Sequence, residues 1–250
     1  MAWAYLNPNA GEVVGDWFAQ RFARARLLLP LAEFDTVIPV EFAETVTTEL
    51  VDVVGTADAN AATDQPAGVV EVVAGDPAIA TNQARLQLTG SGSHVRSLVG
   101  YWYAAGLVKY AGPLDVTQLG DTSADMIALW FDDNNRVTLG VLGNASGGST
   151  SNWVGRSDLA ASNATTLGPA LDPEESPLWH LFEMWVDEVA ATLNFAIDGV
   201  DFAGTIALAD VAAQPGKIGP IVQRTAVGDV AEVLWDKLCV VVRSPTVGEP

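Results

Sequence analysis

The sequence contains few basic residues. Lys and Arg number 12 against 31 Asp and Glu, so the 250 residues carry a formal net charge of -19. Residues 27–84 and 157–216 contain no Lys or Arg, yet each stretch carries ten acidic side chains. Because phosphate backbones and anionic lipid surfaces are bound mainly through Lys and Arg, this composition argues against nucleic acid and against membranes as partners.

Cysteine and histidine are also scarce. Cys239 is the one cysteine, so no disulfide can form within the chain, and its apolar neighbours predict a buried strand. His94 and His180 are the only histidines. They are too few for a clustered transition-metal site, and neither belongs to a recognisable Ser-His-Asp arrangement. Both are interpreted as structural residues.

Long apolar runs are absent as well. No run approaches the ~18 residues that a membrane span requires. The N-terminal sequence MAWAYLNPNAGEVV also lacks the basic start and the continuous apolar segment of a signal peptide. The sequence therefore predicts a chain that is made and folded in the cytoplasm.

One segment shows a strong helical pattern. Apolar side chains recur at three- and four-residue spacing through residues 9–29, residues 9–12 resemble a capping box, and Pro30 ends the pattern. Arg21, Arg24 and Arg26 supply a quarter of all the bases within six residues. Two interpretations stay open: the helix packs on its own domain, or it docks on an acidic neighbouring subunit. A membrane-surface helix is the least favoured. The candidate anchor residues are Trp17, Phe18, Phe22, Arg21 and Arg24.

Beyond Pro30 the pattern changes to strands. Segments rich in Val, Leu, Thr and aromatic residues alternate with Gly, Pro, Asn and Asp, and no helical period interrupts them. These segments are TVTTELVDVV, GVVEVVAG, ARLQLTG, HVRSLVGYWYAA, DMIALWFDD, RVTLGVLG and EVLWDKLCVVVRS. Residues 132–135 predict a tight hairpin loop. Residues 143–177 are polar and rich in Gly and Ser, which predicts a long surface loop with one short strand around Trp153. Residues 55–68 are a weaker loop candidate.

The stretch LWHLFEMWVDEVAATLNFAIDGVDF, residues 178–202, alternates in a way that a helix would not produce. It predicts a β-hairpin in which one apolar face is built from the pairs Phe182–Phe195, Met184–Leu193 and Val186–Ala191. The opposite face then carries Glu183, Trp185, Thr192 and Asn194. After Ile197 the dipeptide DG predicts a second tight turn.

This hairpin, followed by the closing segment AEVLWDKLCVVV, resembles the C-terminal half of the concanavalin A-like lectin/glucanase jelly rolls, which include laminin-G-like domains. The resemblance implies an all-β, two-sheet antiparallel jelly-roll sandwich with an N-terminal helical arm. The domain limits become residues 1–33 for the arm with its amphipathic helix, 34–243 for the jelly roll and 244–250 for a C-terminal tail.

The organisation of the chain also resembles that of accessory structural proteins of tailed bacterial viruses. The shared features are an arm at one end, a single cysteine, no signal peptide and a jelly roll. The resemblance implies a non-enzymatic virion structural protein, a capsid decoration or a head or tail appendage. It would be synthesised in the host cytoplasm, lie on the virion surface, and attach through its arm to other virion or capsid subunits in an oligomeric assembly.

Carbohydrate binding is the alternative function, which would make the protein a lectin-like module or adhesin without a virion role. The two functions are compatible, because a virion protein can also contact host surface glycans. Aromatic side chains with polar neighbours can stack on sugars or on a neighbouring subunit. The candidate glycan or interface residues are Trp185, Trp153, Asn194 and Glu183.

A glucanase is the third hypothesis, because the resembled group includes such enzymes. Glycoside hydrolysis needs two carboxyl groups at a fixed separation. Glu33 and Asp35 come closest to such a pair but lack a third acidic residue, and Asp187 and Glu188 fall in a hairpin loop, so no catalytic residue is predicted. The sequences FDDNN and LDPEES offer oxygen ligands for calcium without a recognised spacing, and no other cofactor is predicted.

Overall fold

An N-terminal helix precedes sixteen β-strands in the part of the chain that the computed structural model describes. The described residues are 14–28, 36–41, 51–55, 58–61, 70–73, 82–88, 101–111, 123–132, 135–142, 151–159, 162–172, 178–187, 190, 192–207, 217–224 and 232–243. The predicted domain limit near residue 33 lies outside them, and the last strand ends at Arg243.

Helix α1 spans Val14–Leu28. Its 15 residues include Arg21, Arg24 and Arg26, and in the described ranges no helix is long and apolar enough to cross a membrane. The helical prediction for residues 14–28 is confirmed, while the predicted capping box at residues 9–12 lies outside the described residues.

The strands are mostly five to eleven residues long. The first eight are β1 (Thr36–Glu41), β2 (Val51–Gly55), β3 (Asp58–Ala61), β4 (Val70–Val73), β5 (Asn82–Leu88), β6 (Tyr101–Ala111), β7 (Ser123–Asp132) and β8 (Asn135–Val141). The other eight are β9 (Asn152–Leu159), β10 (Ser162–Ala170), β11 (Trp179–Asp187), β12 (Thr192–Ile197), β13 (Val200–Asp201), β14 (Ile206–Ala207), β15 (Lys217–Arg224) and β16 (Glu232–Arg243).

The strands form two antiparallel sheets. The nine-stranded sheet has the order β13-β12-β11-β6-β16-β4-β3, with β1 paired to β16 and β14 paired to β12. The seven-stranded sheet has the order β10-β9-β8-β7-β15-β5-β2. Because β1 and β4 pair with the same long strand β16, the early and late parts of the chain meet in one sheet. The predicted all-β, two-sheet fold class is confirmed.

The core lies between the inner faces of the two sheets. Phe182, Met184, Leu193 and Phe195 are buried there, as the hairpin prediction required. The sheets approach each other closely at Gly155, where an added Cβ would lie 2.5 Å from the ring of Phe195. Only a glycine leaves room for that ring without a shift in packing.

The prediction of a long loop at residues 143–177 is wrong for residues 152–159 and 162–170, which form the hairpin β9–β10. The short strand predicted around Trp153 lies within β9. The glycines in this stretch were interpreted as loop residues, yet two of them allow close packing. At Gly168 an added Cβ would lie 2.2 Å from the ring of Phe202. Strand β10 is the edge of its sheet, and an edge strand tolerates a polar, Ser- and Thr-rich composition.

The β11–β12 hairpin has the predicted faces with a different register. Phe182 pairs with Ile197, Met184 with Phe195 and Val186 with Leu193, a shift of two residues from the predicted pairs. A two-residue shift keeps every side chain on its face, because side chains alternate with period two. The hairpin closes at Asp187, whose Oδ1 accepts a hydrogen bond of 2.8 Å from the Ala190 N–H.

Two predicted turns are confirmed. Asp198 and Gly199 have φ angles of 51° and 78° and connect Ile197 to its partner Val200 in a two-residue hairpin. Both residues need a positive φ in this type of turn, and the pair Asp-Gly provides it at low cost. In the seven-stranded sheet Asp132 pairs with Asn135, as the sequence FDDNN predicted.

Candidate functional site

Helix α1 lies on the outer face of the nine-stranded sheet. Its buried residues pack with sheet residues in what we call the helix–sheet cluster: Trp17, Ala25, Tyr103, Ala105, Trp185, Ala196 and Cys239. Phe22, Leu28, Leu107 and Leu181 pack around this cluster. Around this cluster the sheet is therefore buried on both faces, which explains why Trp102 and Tyr103 are both inaccessible although alternation sends them to opposite sides.

Glu183 is the polar centre of the helix–sheet cluster. Its side chain is 1% exposed, and its Oε1 accepts a hydrogen bond of 2.6 Å from the Tyr103 hydroxyl and one of 3.2 Å from Arg21 Nη1. Arg24 Nε lies 3.6 Å from the same oxygen. A buried carboxylate requires such charged and hydrogen-bonding partners, so the helix and Glu183 stabilise each other.

Arg24 also connects the helix to β13 and to Trp185. Its Nη2 donates a hydrogen bond of 3.2 Å to Asp201 Oδ1, and its guanidinium carbon lies 5.6 Å from the centre of the Trp185 ring. This distance permits a cation–π interaction. Arg24 thereby satisfies two acidic side chains of the same chain.

Burial changes the acidity of two groups in the cluster. Burial, followed by the adjacent Glu183 carboxylate, raises the pKa of the Tyr103 hydroxyl well above its ordinary value of 10, so this hydroxyl stays protonated and donates. Burial raises the pKa of the Cys239 thiol to about 12. Since the thiolate is the reactive form, Cys239 is inert while the helix covers it.

The expected accessibility of Trp185 and Glu183 is corrected by the structure. The sequence places them on a polar face and leaves three partners open for Trp185: a sugar, a neighbouring subunit or its own loop. Instead α1 covers that face and leaves Trp185 only 5% exposed. Of the two interpretations left open for the helix, packing on its own domain is the one that the structure shows, because Arg21 and Arg24 bind Glu183 and Asp201 of the same chain. The side chain of Phe18 lies outside the described residues.

Trp153 and Asn194 occupy different surroundings. Trp153 is a core residue, 5.0 Å from the ring of Phe182 in an edge contact, so its predicted role in glycan contact is corrected. Asn194 pairs with Trp185 in the hairpin, and its amide donates to the backbone and the hydroxyl of Thr192 at 3.1 and 3.2 Å. The structure thus brings together Glu183, Trp185 and Asn194, and separates them from Trp153.

His180 has a structural role at the Asp-Gly turn, as the sequence suggested. Its Nδ1 lies 2.6 Å from Asp198 Oδ2, and the Leu181 N–H donates to Asp198 Oδ1 at 2.8 Å. Burial opposes ionisation of Asp198, but the hydrogen bonds from His180 and Leu181 outweigh it and lower the pKa of that carboxyl. These two contacts of Asp198 connect the turn to the start of β11.

A second polar arrangement lies on the outer face of the seven-stranded sheet, away from α1. Asp158 Oδ2 lies 2.9 Å from Arg156 Nε and 3.3 Å from Arg136 Nε. The contact with Arg156 is an ion pair rather than a hydrogen bond, because the N–H does not point at the oxygen. Arg156 is 4% exposed, and its Nε and Nη2 have no hydrogen-bond partner.

Arg156 borders a narrow cleft that has no room for a water-sized sphere in this structure. We call this the Arg156 pocket, and its lining residues are Asp125, Thr138, Gly140, Val141, Leu142, Val154 and Arg156. Arg136 and Asp158 lie beside it on the same face, since Arg136 pairs with Asp158 in the β8–β9 register.

A β-bulge positions Asp125 at the Arg156 pocket. The register of β7 shifts by one residue between Asp125 and Ile127 against both neighbouring strands. Such bulges re-aim a side chain and are common beside binding sites. Opposite the bulge, an added Cβ at Gly140 would lie 2.7 Å from the Asp125 Cα, so this position requires glycine.

Sequence reasoning missed the Arg156 pocket because Arg156 fell in the predicted loop. The signal was present: Arg136 and Thr138 alternate with apolar residues in NRVTLGV, and Arg156 and Asp158 alternate with Trp153 and Gly155 in NWVGRSDL. Two neighbouring strands with polar residues of one parity predict a polar sheet face.

The described residues contain no clustered metal ligands. No group of three or more His, Cys, Asp or Glu side chains that could hold a metal ion occurs among the described residues. The structure describes no side-chain placement for most of FDDNN and LDPEES, the two sequences predicted to offer calcium ligands. The same is true of Glu33, Asp35, Glu188 and His94.

The fold is similar to that of several solved structures, although no protein-family model and no curated protein sequence matches the chain. Winged bean acidic lectin complexed with methyl-alpha-D-galactose aligns with a TM-score of 0.58 and 10% identity over 84% of this chain and 100% of the lectin. A prokaryotic beta-1,3-1,4-glucanase from a mouse hindgut metagenome aligns with a TM-score of 0.55 and 11% identity, over 82% and 98%.

Botulinum neurotoxin type C, whose cell entry is dependent upon interaction with two ganglioside molecules, aligns with a TM-score of 0.56 and 10% identity. The match covers 84% of this chain and 49% of the neurotoxin chain, so this protein spans about half of that structure. These likenesses establish the concanavalin A-like jelly-roll fold that the sequence of the hairpin predicted.

Proposed function

We propose that this protein is a non-enzymatic, lectin-like module that holds a glycan on the sheet face around Arg136 and Asp158. One observation carries the proposal: the sheet face that α1 does not occupy carries a cluster of charged side chains, in which the partly exposed Arg136 and Asp158 adjoin the buried Arg156. A few convergent polar groups are the usual features that orient a small-molecule ligand.

The similar structures support glycans as the first ligand class to test. Winged bean acidic lectin holds methyl-alpha-D-galactose, and a lectin from Bauhinia forficata with a TM-score of 0.53 and 8% identity holds GalNAc. The jelly-roll scaffold therefore accommodates sugars in these two lectins, whose sequences are 8% and 10% identical to this chain. Function depends on the residues displayed on a fold, so the proposal rests on Arg136, Asp158 and their neighbours.

Glycoside hydrolysis is the competing chemistry, since a glucanase shares the fold. That reaction needs one carboxyl group that donates a proton and a second that attacks or activates water. Asp158 Oδ2 already contacts two charged partners, Arg136 and Arg156. This arrangement favours binding without cleavage.

A glycan screen with the full chain tests the proposed function. We expect selective binding of a small set of glycans, retained in the presence of EDTA, and no release of reducing ends from the bound glycan after prolonged incubation. Absence of any glycan above the level of an unrelated acidic protein would contradict the binding role. Release of reducing ends would show that the protein is an enzyme.

A particle-bound structural role, at a virion surface through the N-terminal arm, is the second candidate. The observation that favours it is Leu27 on α1, which is 76% exposed. A large apolar side chain in water at the end of a helix is suited to contact with a neighbouring subunit. Arg26, beside it, is also exposed and stacks on Phe22 at 5.2 Å.

The attachment role is tested by comparing Leu27→Asp with Val200→Asp, which introduces the same charge at an apolar residue that is 59% exposed on β13. We expect Leu27→Asp to be lost from particles that contain capsid subunits and Val200→Asp to be retained, because only Leu27 belongs to the arm. Equal retention of both variants would refute attachment through this part of α1.

A further inference from the structure

We infer that two copies of this chain exchange their α1 helices, each helix docking on the nine-stranded sheet of the other copy to form a dimer. The inference goes beyond the proposed glycan binding and does not depend on it. Three observations carry it: the helix–sheet cluster joins distant parts of the chain, the connection from α1 to β1 is short, and Leu27 is exposed at the end of α1 next to that connection.

The contact between α1 and the sheet joins segments that are far apart in the chain. Within the helix–sheet cluster, the sheet residue nearest to α1 in sequence is Tyr103, and Glu183 lies 162 residues beyond Arg21. Such a contact is a packing of two separate surfaces rather than a local structure. The same atoms can therefore meet when the two surfaces belong to two identical chains, which is the basis of domain swapping.

The chemistry of the docking face specifies its occupant. Arg21 and Arg24 of α1 reach the buried carboxylate of Glu183, and Arg24 also binds Asp201. A sheet without its helix loses these arginine partners and exposes the indole of Trp185, so an empty face costs free energy. The α1 helix of a second copy restores every one of these contacts, because it carries the same arginines at the same spacing.

The connection between α1 and β1 limits how far the helix can travel. Residues 29–35 separate Leu28 from Thr36. Even a fully extended chain spans at most roughly 26–29 Å over that interval, which is about the diameter of a small domain. A helix on so short a connection reaches a second copy only if the two copies lie side by side, so the exchange brings them into direct contact near the end of α1.

Leu27 lies where that contact would form. Its side chain is 76% exposed, and only Leu28 separates it from the end of α1. In a two-fold exchange the equivalent helix ends lie beside the two crossing connections. An exposed apolar side chain at that place gains free energy when the second copy covers it. This new contact adds to the docking contacts, which are the same in the monomer and in the dimer.

Docking of α1 on its own sheet competes with the exchange. A short connection holds a tethered element near its own site at an effective concentration on the order of millimolar. The dilute protein is therefore a monomer with its own helix docked. The exchanged dimer is expected in concentrated protein, or where copies are held next to each other in an assembly.

Cross-linking of two isotopic forms of the full chain tests the exchange. Arg24→Lys places an amine near the exposed carboxylate of Asp201, to which Arg24 donates a hydrogen bond of 3.2 Å, and a carbodiimide condenses such a pair to an amide. Unlabelled and heavy-nitrogen forms of this variant are mixed in urea, refolded together at a concentration on the order of millimolar and cross-linked. The buffer contains about 0.15 M salt, because each copy carries a charge of -19 and this ionic strength reduces the Debye length to about 8 Å.

We expect covalent dimers in which an α1 peptide of one mass is joined to the Asp201 peptide of the other mass, at the frequency of random pairing. The matched control is Arg24→Lys combined with Asp201→Asn, which lacks the carboxylate and should give no link at that position. If every link joins peptides of the same mass, α1 docks only on its own chain and the exchange is overturned.

The contribution of Leu27 is measured by sedimentation equilibrium of the full chain. We expect Leu27→Asp to raise the dissociation constant of the dimer roughly tenfold, because a charge replaces an apolar contact. Leu167→Asp is the matched control, since Leu167 is 51% exposed on β10 of the other sheet, and it should leave the dissociation constant unchanged. Equal dissociation constants for the two variants would remove Leu27 from the dimer contact.

Protection of a thiol by a second chain tests the exchange without refolding. Trp17→Ala loosens α1 and uncovers Cys239, so a thiol reagent labels this variant. Added Cys239→Ala chain at a concentration on the order of millimolar should slow the labelling, because its intact helix covers the thiol of the other copy. A chain with both substitutions is the control and should have no effect. Equal labelling rates with the two added chains would overturn the exchange.

The exchange and the proposed function fail separately. The glycan screen reports on the face around Arg136 and Asp158, which lies on the other sheet. Mixed-mass links in a protein that binds no glycan would keep the exchange and overturn the function. Selective glycan binding by a protein whose links all have one mass would do the reverse.

Discussion

A carboxylate that is removed from water has to recover its hydrogen bonds from neighbouring groups. Glu183 does so largely through Oε1, which Tyr103, Arg21 and Arg24 approach together. Two of these three partners come from α1. The charge of one residue therefore contributes both to the stability of the sheet and to the docking of the helix.

Glu183→Gln tests this role at the scale of the residue. The amide preserves the shape of the side chain but removes the charge that pairs with Arg21 and Arg24. We expect the free energy of unfolding in urea to fall by about 2 kcal/mol, the scale of a lost charged hydrogen bond.

Asp201→Asn is the control for Glu183→Gln, because Asp201 also binds Arg24 but its side chain is 60% exposed. Exposed ion pairs contribute little, so its free energy of unfolding should stay within about 0.5 kcal/mol of the parent. Equal losses in the two variants would show that burial does not govern these ion pairs.

At the scale of the element, α1 acts as a cover for the nine-stranded sheet. It shields the indole of Trp185, the ring of Tyr103 and the thiol of Cys239 from water. Removal of the whole arm would uncover this apolar face, so a point substitution at the helix–sheet cluster separates docking from solubility more cleanly than a deletion does.

Trp17→Ala should make Cys239 reactive toward a thiol reagent at pH 8. Trp17 is buried between helix and sheet, so its truncation favours undocked states, and undocking removes the burial that raises the pKa of the thiol to about 12. We expect the labelling rate to rise on the order of ten- to a hundredfold.

Gln20→Ala is the matched change for Trp17→Ala, because Gln20 lies on the exposed side of the same helix. Its labelling rate should equal that of the parent. If Trp17→Ala labels no faster, Cys239 is protected by the sheet alone rather than by α1. Circular dichroism of each variant establishes that the jelly roll itself is folded.

The hairpin β11–β12 shows which features of an element a sequence can predict. Alternation determined the faces of Phe182 and Trp185, and the Asp-Gly pair determined the second turn. The register was two residues off, because a shift of two preserves every face, and the pattern does not reveal loop contacts such as the hydrogen bond from Ala190 to Asp187. Local patterns carry no information that distinguishes such registers.

At the scale of the whole molecule, the strand pattern predicted an all-β domain and the resemblance carried by the hairpin predicted the sandwich. Neither showed which outer faces stay open. The apolar and basic residues of α1 predicted that the helix docks on another surface, but they did not predict which surface that is. Glu183 and Asp201, its acidic partners, are 162 and 177 residues away from Arg21 and Arg24. The Arg156 pocket was missed for a related reason, since β7, β8 and β9 become neighbours only in the folded sheet.

The long separation between α1 and its partners has a consequence for how the protein is made. A ribosome adds about 5–20 residues per second, so roughly ten to thirty seconds pass between the synthesis of Arg21 and that of Glu183. Strand β1 waits even longer, because Thr36 pairs with Val242. Throughout that interval Trp17 has no sheet on which to dock, and a nascent chain or a chaperone can contact it first. The contacts of α1 and β1 with the sheet can therefore be completed only after the late strands β11 and β16 have been synthesised.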